Sequence, residues 1–281
     1  MTVKLQDLLI AFHSLGLDSK PVVVHASLSA FGQVQGGAET LVGALLAVFD
    51  SAIMPTFTYK TMLTPLTGPK SNAILYGSGA GANRMAEFFD PQMPADPLMG
   101  VVAETLRKRP CASRSAHPIL SFAGVNAEVA LAAQNLADPL APIGVLARQS
   151  GWALLLGVNH SVNSSIHYAE KLAGRKQFVR WALTAQGVRE CPGFPGCSAG
   201  FQSIAPEVER VTRRARIGSA VVQAVPLEML IKAVIERIKN DPLALLCQQA
   251  DCARCNEIRL LVWKDNLRYR STENRNSITD T

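Results

Sequence analysis

The chain has 281 residues, of which 48% are hydrophobic and 18% charged, and its formal net charge is +6. This composition supports a sizeable core, in one large α/β domain or two smaller ones. No apolar run reaches the ~18 residues of a membrane span. Residues 1–10 lack a signal-peptide pattern, so a cytoplasmic location is expected. Few aromatic residues accompany the arginines at 210–216, so a solvated basic face is expected there and no nucleic-acid partner is predicted.

The N-terminal segment predicts a helix, a strand and a second helix. Apolar residues at helical spacing predict the first helix over 5–15, and a β-branched run predicts the strand over 21–24. The second helix is predicted over 39–49. The turn between the strand and this helix is small and polar, with the sequence His25-Ala26-Ser27-Leu28. Such turns often bind phosphate groups, although the glycines here match neither the P-loop nor the dinucleotide-binding pattern.

Elements of both kinds continue along the chain and predict an α/β fold. Further strands are predicted at 52–58, 119–123, 152–156, 177–184, 217–225 and 258–263, and further helices at 101–107, 127–135, 143–149, 206–210 and 226–239. The character of the sequence changes after Gly174. We therefore expect a catalytic α/β part over 1–173, a smaller C-terminal α+β part over 174–270 that packs on it, and a frayed tail over 271–281.

The most informative polar stretch follows the predicted strand 152–156. Asn163 and Ser164 are good N-cap residues, so a helix is expected to begin just after them. On that helix His167 and Glu170 are three residues apart and share a face. A carboxylate beside a histidine can fix its tautomer and make it a better base, although most such pairs are solvated surface pairs. Its position after a strand, where α/β sheets bind ligands, favours a functional site.

Six cysteines occur, and in a cytoplasmic chain they are expected to be thiols. Cys252 and Cys255 form a Cys-x-x-Cys pair with Cys247 shortly before it, and Cys191 and Cys197 lie further back. Four of these thiolates form a geometrically conceivable zinc site. Two features argue against such a site: Cys191 and Cys197 are six residues apart rather than two to four, and no histidine lies nearby. No metal is therefore predicted.

Five short segments, taken together and in order, resemble the aminoglycoside 3-N-acetyltransferase family. They are His25-Ala26-Ser27-Leu28, Gly36-Gly37-Ala38-Glu39, Phe89-Asp90-Pro91, Arg114-Ser115-Ala116-His117-Pro118 and His167-Tyr168-Ala169-Glu170. The resemblance extends over roughly residues 5–265. It implies an antibiotic N-acetyltransferase fold, with a central mixed sheet and flanking helices. It also implies transfer of an acetyl group from acetyl-CoA to an amine of an aminoglycoside, without a metal, which confers antibiotic resistance.

The resemblance implies roles for individual residues as well. His167 is the expected general base, and Glu170 either orients it or contacts a substrate ammonium group directly. The hydroxyl of Ser164 is expected near the sulfur or the carbonyl oxygen of the thioester. For His117, a purely packing histidine is the alternative to a place in the site. The remaining expected roles are cofactor binding by His25, Ala26, Ser27, Leu28, Arg114 and Ser115, and substrate binding by Asp90, His117 and Glu170.

Two features depart from the family pattern. Ser161 stands where members often carry an acidic residue, and the loop over 61–81 contains no acid. Because polycationic aminoglycosides need carboxylates, a less basic drug is considered beside 3-N acetylation of deoxystreptamine drugs. Kasugamycin is such a drug: it carries its own carboxylate and can be acetylated at its 2′-amine.

Other classes of function stay open at this point. One is an acetyltransferase of the same fold that acts on another amine in biosynthesis, and another is a non-catalytic protein that binds CoA or zinc. A hydrolase with Ser27 or Ser115 as nucleophile is disfavoured, because neither lies in a Gly-x-Ser-x-Gly turn. The oligomeric state is also open, with a homodimer as one candidate.

Overall fold

A computed structural model describes residues 2–276 of the protein, with side chains for residues 2–264. The strands of this part of the chain are β1 (Pro21–Ala26), β2 (Ser51–Pro55), β3 (Met62–Leu63), β4 (Ser113–Arg114), β5 (Phe122–Val125), β6 (Trp152–Leu156), β7 (Phe178–Thr184), β8 (Gly187–Phe194), β9 (Arg213–Ile217) and β10 (Ala220–Pro226). Its α-helices are α1 (Leu5–Ser14), α2 (Gly37–Val48), α3 (Gly100–Arg107), α4 (Glu128–Ala132), α5 (Ala141–Arg148), α6 (Ser164–Leu172), α7 (Ala205–Val208), α8 (Leu227–Asn240) and α9 (Ala253–Asn276). Among these residues, no helix combines the length and the apolar character that crossing a bilayer requires.

A central sheet of seven strands has the order β4-β5-β2-β1-β6-β10-β9, and a second sheet has the order β3-β7-β8. β1 runs parallel to β2 and to β6. β5 is antiparallel to β2, and β10 is antiparallel to β6. The sheet is therefore mixed, as the resemblance implies. The carboxyl ends of its three parallel strands meet at one edge, where α/β folds commonly bind ligands.

Helices cover both faces of the central sheet, so its inner strands are buried on both sides. Along β1, Val22 and Val24 belong to one apolar cluster and Val23 to the other. Helices α1, α2 and α3 supply the first cluster, and α4, α5, α6 and α8 supply the second. Burial on both faces explains why β1 contains three consecutive valines instead of an alternating pattern.

The part of the chain after Gly174 contributes to both sheets. β9 and β10 extend the central sheet beside β6, and β7 and β8 form most of the second sheet. β9 is an edge strand, and its Arg214 pairs with Glu209 through two hydrogen bonds of 2.8 and 2.6 Å. Charged residues on an edge strand discourage pairing with other chains. The basic cluster around residue 214 is therefore a solvated edge of the sheet.

The predicted last strand over 258–263 is wrong, because this segment lies within α9. A short apolar run does not by itself distinguish a strand from a helix. Here Ile258 and Val262, four residues apart, pack on the same apolar cluster. Leu260 and Trp263 are 43% and 58% exposed. The predicted frayed tail begins inside α9, which continues to Asn276, and residues 277–281 lie outside the described part of the chain.

Candidate active site

A cleft of about 600 Å³ opens at the carboxyl ends of β1 and β2, beside the first turns of α3 and α6. A volume of this size is typical of small-molecule sites. The lining is largely apolar and includes every residue of the predicted CoA turn together with one residue of α6: His25, Ala26, Ser27, Leu28 and Ser164. The fold therefore brings together five of the predicted cofactor-binding residues, although Ser164 is 139 positions from His25.

Gly157 allows the turn after β6 to lie against the turn after β1. Its φ angle is +67°, and a Cβ atom at this position would lie 2.4 Å from the Cβ of Ala30. A side chain is therefore excluded by both the backbone conformation and the space. The adjacent Val158 lines the cleft. This close approach packs the turn before α6 against the turn after β1.

Asn163 is the N-cap of α6, as the sequence predicts. Its Oδ1 accepts a hydrogen bond from the backbone N–H of Ser165 at 3.1 Å, and the residue is fully buried. Its amide nitrogen lies 3.3 Å from Nδ1 of His160. Burial lowers the pKa of His160 to about 4, with a smaller contribution from the charge of Arg214. Such a cap fixes where α6 starts and hence where its polar face lies.

His25 ties the end of β1 to the start of α6. Its Nε2 accepts the backbone N–H of Ser164 at 3.0 Å and lies 3.2 Å from the Ser164 hydroxyl. Nε2 is therefore unprotonated and occupied, which excludes His25 as the general base. Burial, with smaller contributions from the nearby His160 and His167, lowers its pKa to about 3. His25 is thus a neutral residue that positions Ser164 at the cleft.

His167, Glu170 and Arg175 form a buried hydrogen-bonded row on and just after α6, and none of the three is among the residues that line the cleft. Nδ1 of His167 lies 2.8 Å from Oε2 of Glu170. The other carboxylate oxygen, Oε1, accepts a hydrogen bond from Nη1 of Arg175 at 2.7 Å. The side chains of Glu170 and Arg175 are each 2% exposed, whereas that of His167 is 11% exposed. Because both oxygens of Glu170 are engaged away from solvent, the geometry favours the orienting role over direct contact with a substrate.

Arg175 is a residue of this row that the sequence reasoning missed. Its Nη2 donates to the carbonyl oxygens of Pro242 and Ala244 at 2.9 and 2.8 Å. It therefore connects Glu170 to the segment after α8. No short motif marks this partner, because Arg175 follows the end of α6 and its carbonyl acceptors are far away in sequence. A buried carboxylate needs a counter-charge, and this general requirement was the one available signal.

Arg114 is engaged by protein oxygens and does not line the cleft. Its Nε donates to the Ser121 hydroxyl at 3.1 Å, and its Nη2 donates to the carbonyl of Thr56 at 2.6 Å. Its Nη1 donates to the carbonyls of Pro91 and Met93. Four of the five guanidinium protons are used in these contacts. The geometry therefore does not support the expected contact of Arg114 with CoA and indicates a clamp between β2, β4 and the loop at 91–93.

The Ser115 hydroxyl and Nδ1 of His117 are likewise engaged within the fold, whereas Nε2 of His117 is buried without a hydrogen-bond partner among the described residues. The Ser115 hydroxyl donates to the carbonyl of Phe122 at 3.2 Å and accepts the N–H of the same residue at 2.8 Å. Nδ1 of His117 accepts the N–H groups of Ile119 and Leu120 at 3.1 and 3.0 Å. Burial lowers the pKa of His117 to about 4. These contacts favour the packing alternative for His117 and a structural role for Ser115.

The predicted acidic residues lie outside the lining of the cleft. Asp90 is exposed, and its Oδ1 accepts the backbone N–H of Gln92 at 2.6 Å. Asp96 is half-buried, and its carboxylate accepts the N–H of Leu98 at 3.0 Å. Leu98 itself lines the cleft, whereas Asp90 and Asp96 do not. The described cleft therefore presents few negative charges to a cationic ligand.

The chain matches proteins of known class over most of its length. A family model described as aminoglycoside 3-N-acetyltransferase matches residues 23–239. Aminoglycoside N(3)-acetyltransferase III of Salmonella sp is 30% identical over 227 residues, which cover 69% of this chain and 76% of that protein. Aminoglycoside N(3)-acetyltransferase VII of Streptomyces paromomycinus is 35% identical over 179 residues, which cover 59% and 60%.

Solved structures share the fold. Aminoglycoside acetyltransferase AAC(3)-IVa in its apo form aligns with a TM-score of 0.74 at 23% identity, over 92% of this chain and 98% of that one. YokD from Bacillus subtilis aligns with a TM-score of 0.75 at 22% identity, over 86% and 95%. AAC-IIIb, solved as a binary complex with CoASH, aligns with a TM-score of 0.70 at 21% identity, over 85% and 97%. At these identities the likeness concerns the fold alone.

Proposed function

The chain belongs to the aminoglycoside 3-N-acetyltransferase family, and from this premise we propose that it inactivates an aminoglycoside by acetylating one of its amines. As a member of this family it is an acyltransferase, with acetyl-CoA as the acetyl donor. The observation that carries the finer proposal is the row of His167, Glu170 and Arg175, one helical turn from the cleft residue Ser164.

We assign the role of general base to His167. Its Nδ1–H is directed to Glu170, which leaves Nε2 as the nitrogen that can accept a proton. In the reaction the substrate amine attacks the carbonyl carbon of the thioester, and the proton of the attacking nitrogen passes to Nε2. The carbon–sulfur bond then breaks, and the His167 imidazolium returns this proton to the sulfur, so that CoA leaves as the thiol. Glu170, itself held by Arg175, stabilises the imidazolium that forms during this step.

We assign the pantetheine arm of CoA to the cleft between the turn at 25–28 and the start of α6. The arm is long and mostly apolar with a few amides, which matches an apolar lining with exposed backbone groups. We place the hydroxyl of Ser164 at the thioester. When it rotates away from Nε2 of His25, 3.2 Å distant, its proton can be donated to the developing oxyanion or to the sulfur. His25 supports this role because it holds the backbone N–H of the same residue.

Direct transfer is proposed in preference to an acyl-enzyme. An acyl-enzyme would need a nucleophilic serine whose hydroxyl is within reach of a base. Ser115 donates to and accepts from Phe122, and its hydroxyl is therefore fully occupied. The Ser27 hydroxyl pairs with that of Ser29 at 3.0 Å rather than with a histidine. Neither serine has the environment of an activated nucleophile. The Ser164 hydroxyl does lie 3.2 Å from Nε2 of His25, but that nitrogen also accepts the backbone N–H of Ser164, and the lowered pKa of His25, about 3, makes it a weak base.

The acetylated amine is proposed to be the 3-amine of a deoxystreptamine drug, since the curated relatives that match are named for this position. One observation favours kasugamycin as a second candidate. The cleft lining contains no acidic residue among the described residues. A drug that carries its own carboxylate places fewer demands on such a site than a polycation does. Asp90 and Asp96 are the acids left to contact the substrate from the loop at 90–96.

The proposal is tested by thiol release from acetyl-CoA in the presence of kanamycin, gentamicin, apramycin and kasugamycin. The protein has six cysteines, so a catalytic concentration of enzyme and a blank without acceptor are required. Mass spectrometry and NMR of each product identify the acetylated nitrogen. A matched blank with His167→Ala separates enzymatic transfer from spontaneous hydrolysis.

Each outcome decides between the candidates. Acetylation at the 3-amine of the deoxystreptamine drugs supports the leading candidate, and acetylation of kasugamycin alone supports the second. If none of the four drugs is acetylated although the protein still binds CoA, the assignment to aminoglycosides is overturned. It would favour an acetyltransferase of the same fold that acts on another amine.

A further inference from the structure

Four cysteines from three separate segments meet below the second sheet. Cys197 lies in the loop after β8, and Cys247 lies in the segment after α8. Cys252 directly precedes α9, and Cys255 lies in the first turn of that helix. Their four Sγ atoms all lie within 4.8 Å of one another. None of the six cysteines, all of which lie in the described part of the chain, forms a disulfide.

The separation of the sulfur atoms fits a tetrahedral metal centre. With Zn–S bonds of about 2.3 Å, the edges of a ZnS₄ tetrahedron are about 3.8 Å long. Small side-chain movements would therefore bring the four sulfur atoms to this distance around one ion. Cys255 and Cys247 are 0% and 3% exposed, so half of the set is enclosed by the apolar cluster.

Cys191 is not part of this cluster. It lies on β8, is 1% exposed, and its Sγ is 3.7 Å from the carbonyl oxygen of Arg189. The six-residue spacing between Cys191 and Cys197 argues against a zinc site only if both are ligands. The fold instead combines Cys197 with three cysteines near α9, and this combination cannot be read from the spacing.

Groups around the cluster suit thiolate ligands. The backbone N–H of Ala199 donates to Sγ of Cys197 at 3.5 Å, and such contacts stabilise metal-bound thiolates. A Zn²⁺ ion with four thiolates carries a net charge of −2, so nearby cations are favourable. Arg259 donates to the carbonyl of Cys247, and Arg254 lies 3.4 Å from the carbonyl of Pro195. Both arginines therefore lie beside the cluster without occupying its sulfur atoms.

We propose that Cys197, Cys247, Cys252 and Cys255 bind one Zn²⁺ ion in a closed structural site. Binding converts four thiols into thiolates and releases four protons, with no change of oxidation state. Four protein ligands leave no open position on the ion, so it takes no part in acetyl transfer. Its effect is to fasten the loop after β8, the segment after α8 and the start of α9 to one another.

The ion would also support the candidate active site at a distance. The segment that ends at Cys247 contains Pro242 and Ala244, whose carbonyls accept hydrogen bonds from Arg175. Arg175 in turn holds Glu170. Loss of the ion is therefore expected to loosen the acceptors of Arg175, although the metal site itself does not depend on the proposed function.

The test is the metal content of the full chain, purified under reducing conditions without added metal or chelator. Elemental analysis is expected to give about one zinc per chain. Titration of metal-free, reduced protein with Zn²⁺ in a weak buffer is expected to release protons as one equivalent binds. Co²⁺ in place of zinc is expected to give the visible absorption of a tetrahedral cobalt–thiolate centre.

Variants assign the ion to the four cysteines. Cys197→Ser is expected to lower the zinc content at least fivefold, whereas Cys191→Ser and Cys111→Ser, outside the cluster, retain one equivalent. The wild-type measurements decide the question even if a cluster variant fails to fold. Reduced protein that binds no zinc would overturn the proposal. Two other results would also overturn it: disulfides that form again among the four cysteines after reduction in place of zinc binding, or iron with acid-labile sulfide in place of zinc.

Discussion

Two segments of the chain carry histidine and charged residues of the family pattern, and they differ in what those side chains do. In the segment from Arg114 to His117, the polar atoms mostly bind backbone groups of neighbouring strands and loops. In α6, the side chains of His167 and Glu170 bind each other. Nε2 of His167 makes no hydrogen bond within the described residues. Residues of the first kind hold neighbouring strands and loops together, and those of the second kind are the ones to which we assign the chemistry.

The difference shows that membership of a family motif does not tell whether a residue stabilises the fold or takes part in the reaction. A guanidinium whose protons are already donated to carbonyl oxygens has little left for a phosphate. A histidine whose Nδ1 faces a clamped carboxylate has one tautomer and one free nitrogen. The hydrogen-bond partners of each side chain, rather than its place in the pattern, therefore assign its role.

The largest effect is expected for His167→Ala. Loss of the general base should lower kcat by ~10²–10⁴ while the KM for acetyl-CoA changes little. Steady-state kinetics with a reactive drug measure both constants. The matched control is His13→Ala, which changes an exposed histidine on α1 and should leave kcat unchanged. A kcat within twofold of wild type in His167→Ala would remove this residue from the mechanism.

The next effect is expected for Glu170→Gln, which leaves Arg175 charged and buried without its carboxylate. Removing one partner of a buried ion pair typically lowers the free energy of unfolding by about 3–5 kcal/mol. Urea unfolding measures this loss, and kcat should fall as well because the His167 imidazolium loses the carboxylate charge that stabilises it. Glu207→Gln is the control, since its pair with Arg237 is partly exposed. That change should alter stability by no more than about 1 kcal/mol.

A smaller and different effect is expected for Arg114→Lys. A lysine cannot reach the four oxygens that the guanidinium contacts, so stability should fall by about 2 kcal/mol. The KM for acetyl-CoA should stay within twofold of wild type. Thermal unfolding and kinetics together check both statements. A tenfold rise in this KM with unchanged stability would instead make Arg114 a cofactor-binding residue and erase the difference between the two segments.

The effect of pH is distributed over three buried histidines. Burial lowers the pKa values of His25, His117 and His160 from 6.5 to about 3, 4 and 4. Below pH 6.5 the unfolded chain binds protons that the folded chain does not, so stability falls as the pH drops toward the folded pKa values. Each histidine contributes at most about 1.4 kcal/mol per pH unit in this window. The full contribution of these groups is present above pH 6.5.

His117→Asn tests the part of this dependence that belongs to the β4–β5 segment. The Oδ1 of asparagine can accept the same backbone N–H groups but does not titrate in this range. Urea unfolding at pH 7.5 and pH 5 should therefore show a shallower pH dependence in this variant. An unchanged slope would mean that His117 is protonated in the folded protein, and its assignment as a neutral packing residue would then be wrong.

Local patterns predicted much of the fold and part of the candidate site. The strand 152–156 and the N-cap at Asn163 are confirmed, because an apolar run and a capping side chain act over a few residues. The strand over 258–263 is wrong, because a short apolar run has no period of its own. The geometry does not support the expected contact of Arg114 with CoA, because the guanidinium donates to the carbonyls of Thr56, Pro91 and Met93. No local sequence pattern associates these residues with Arg114.

By itself the sequence determined the α/β class, the family and the pairing of His167 with Glu170. These follow from periodicity, from ordered motifs and from a spacing of three residues on one helix. Only the tertiary structure decided that Arg175 holds Glu170, that His25 holds Ser164, and that Cys197 joins the cysteines near α9. The contacts of His25 and Cys197 depend on how the chain brings distant segments together, which the local sequence does not encode. Arg175 is only five residues from Glu170, but its carbonyl acceptors at Pro242 and Ala244 are remote in sequence.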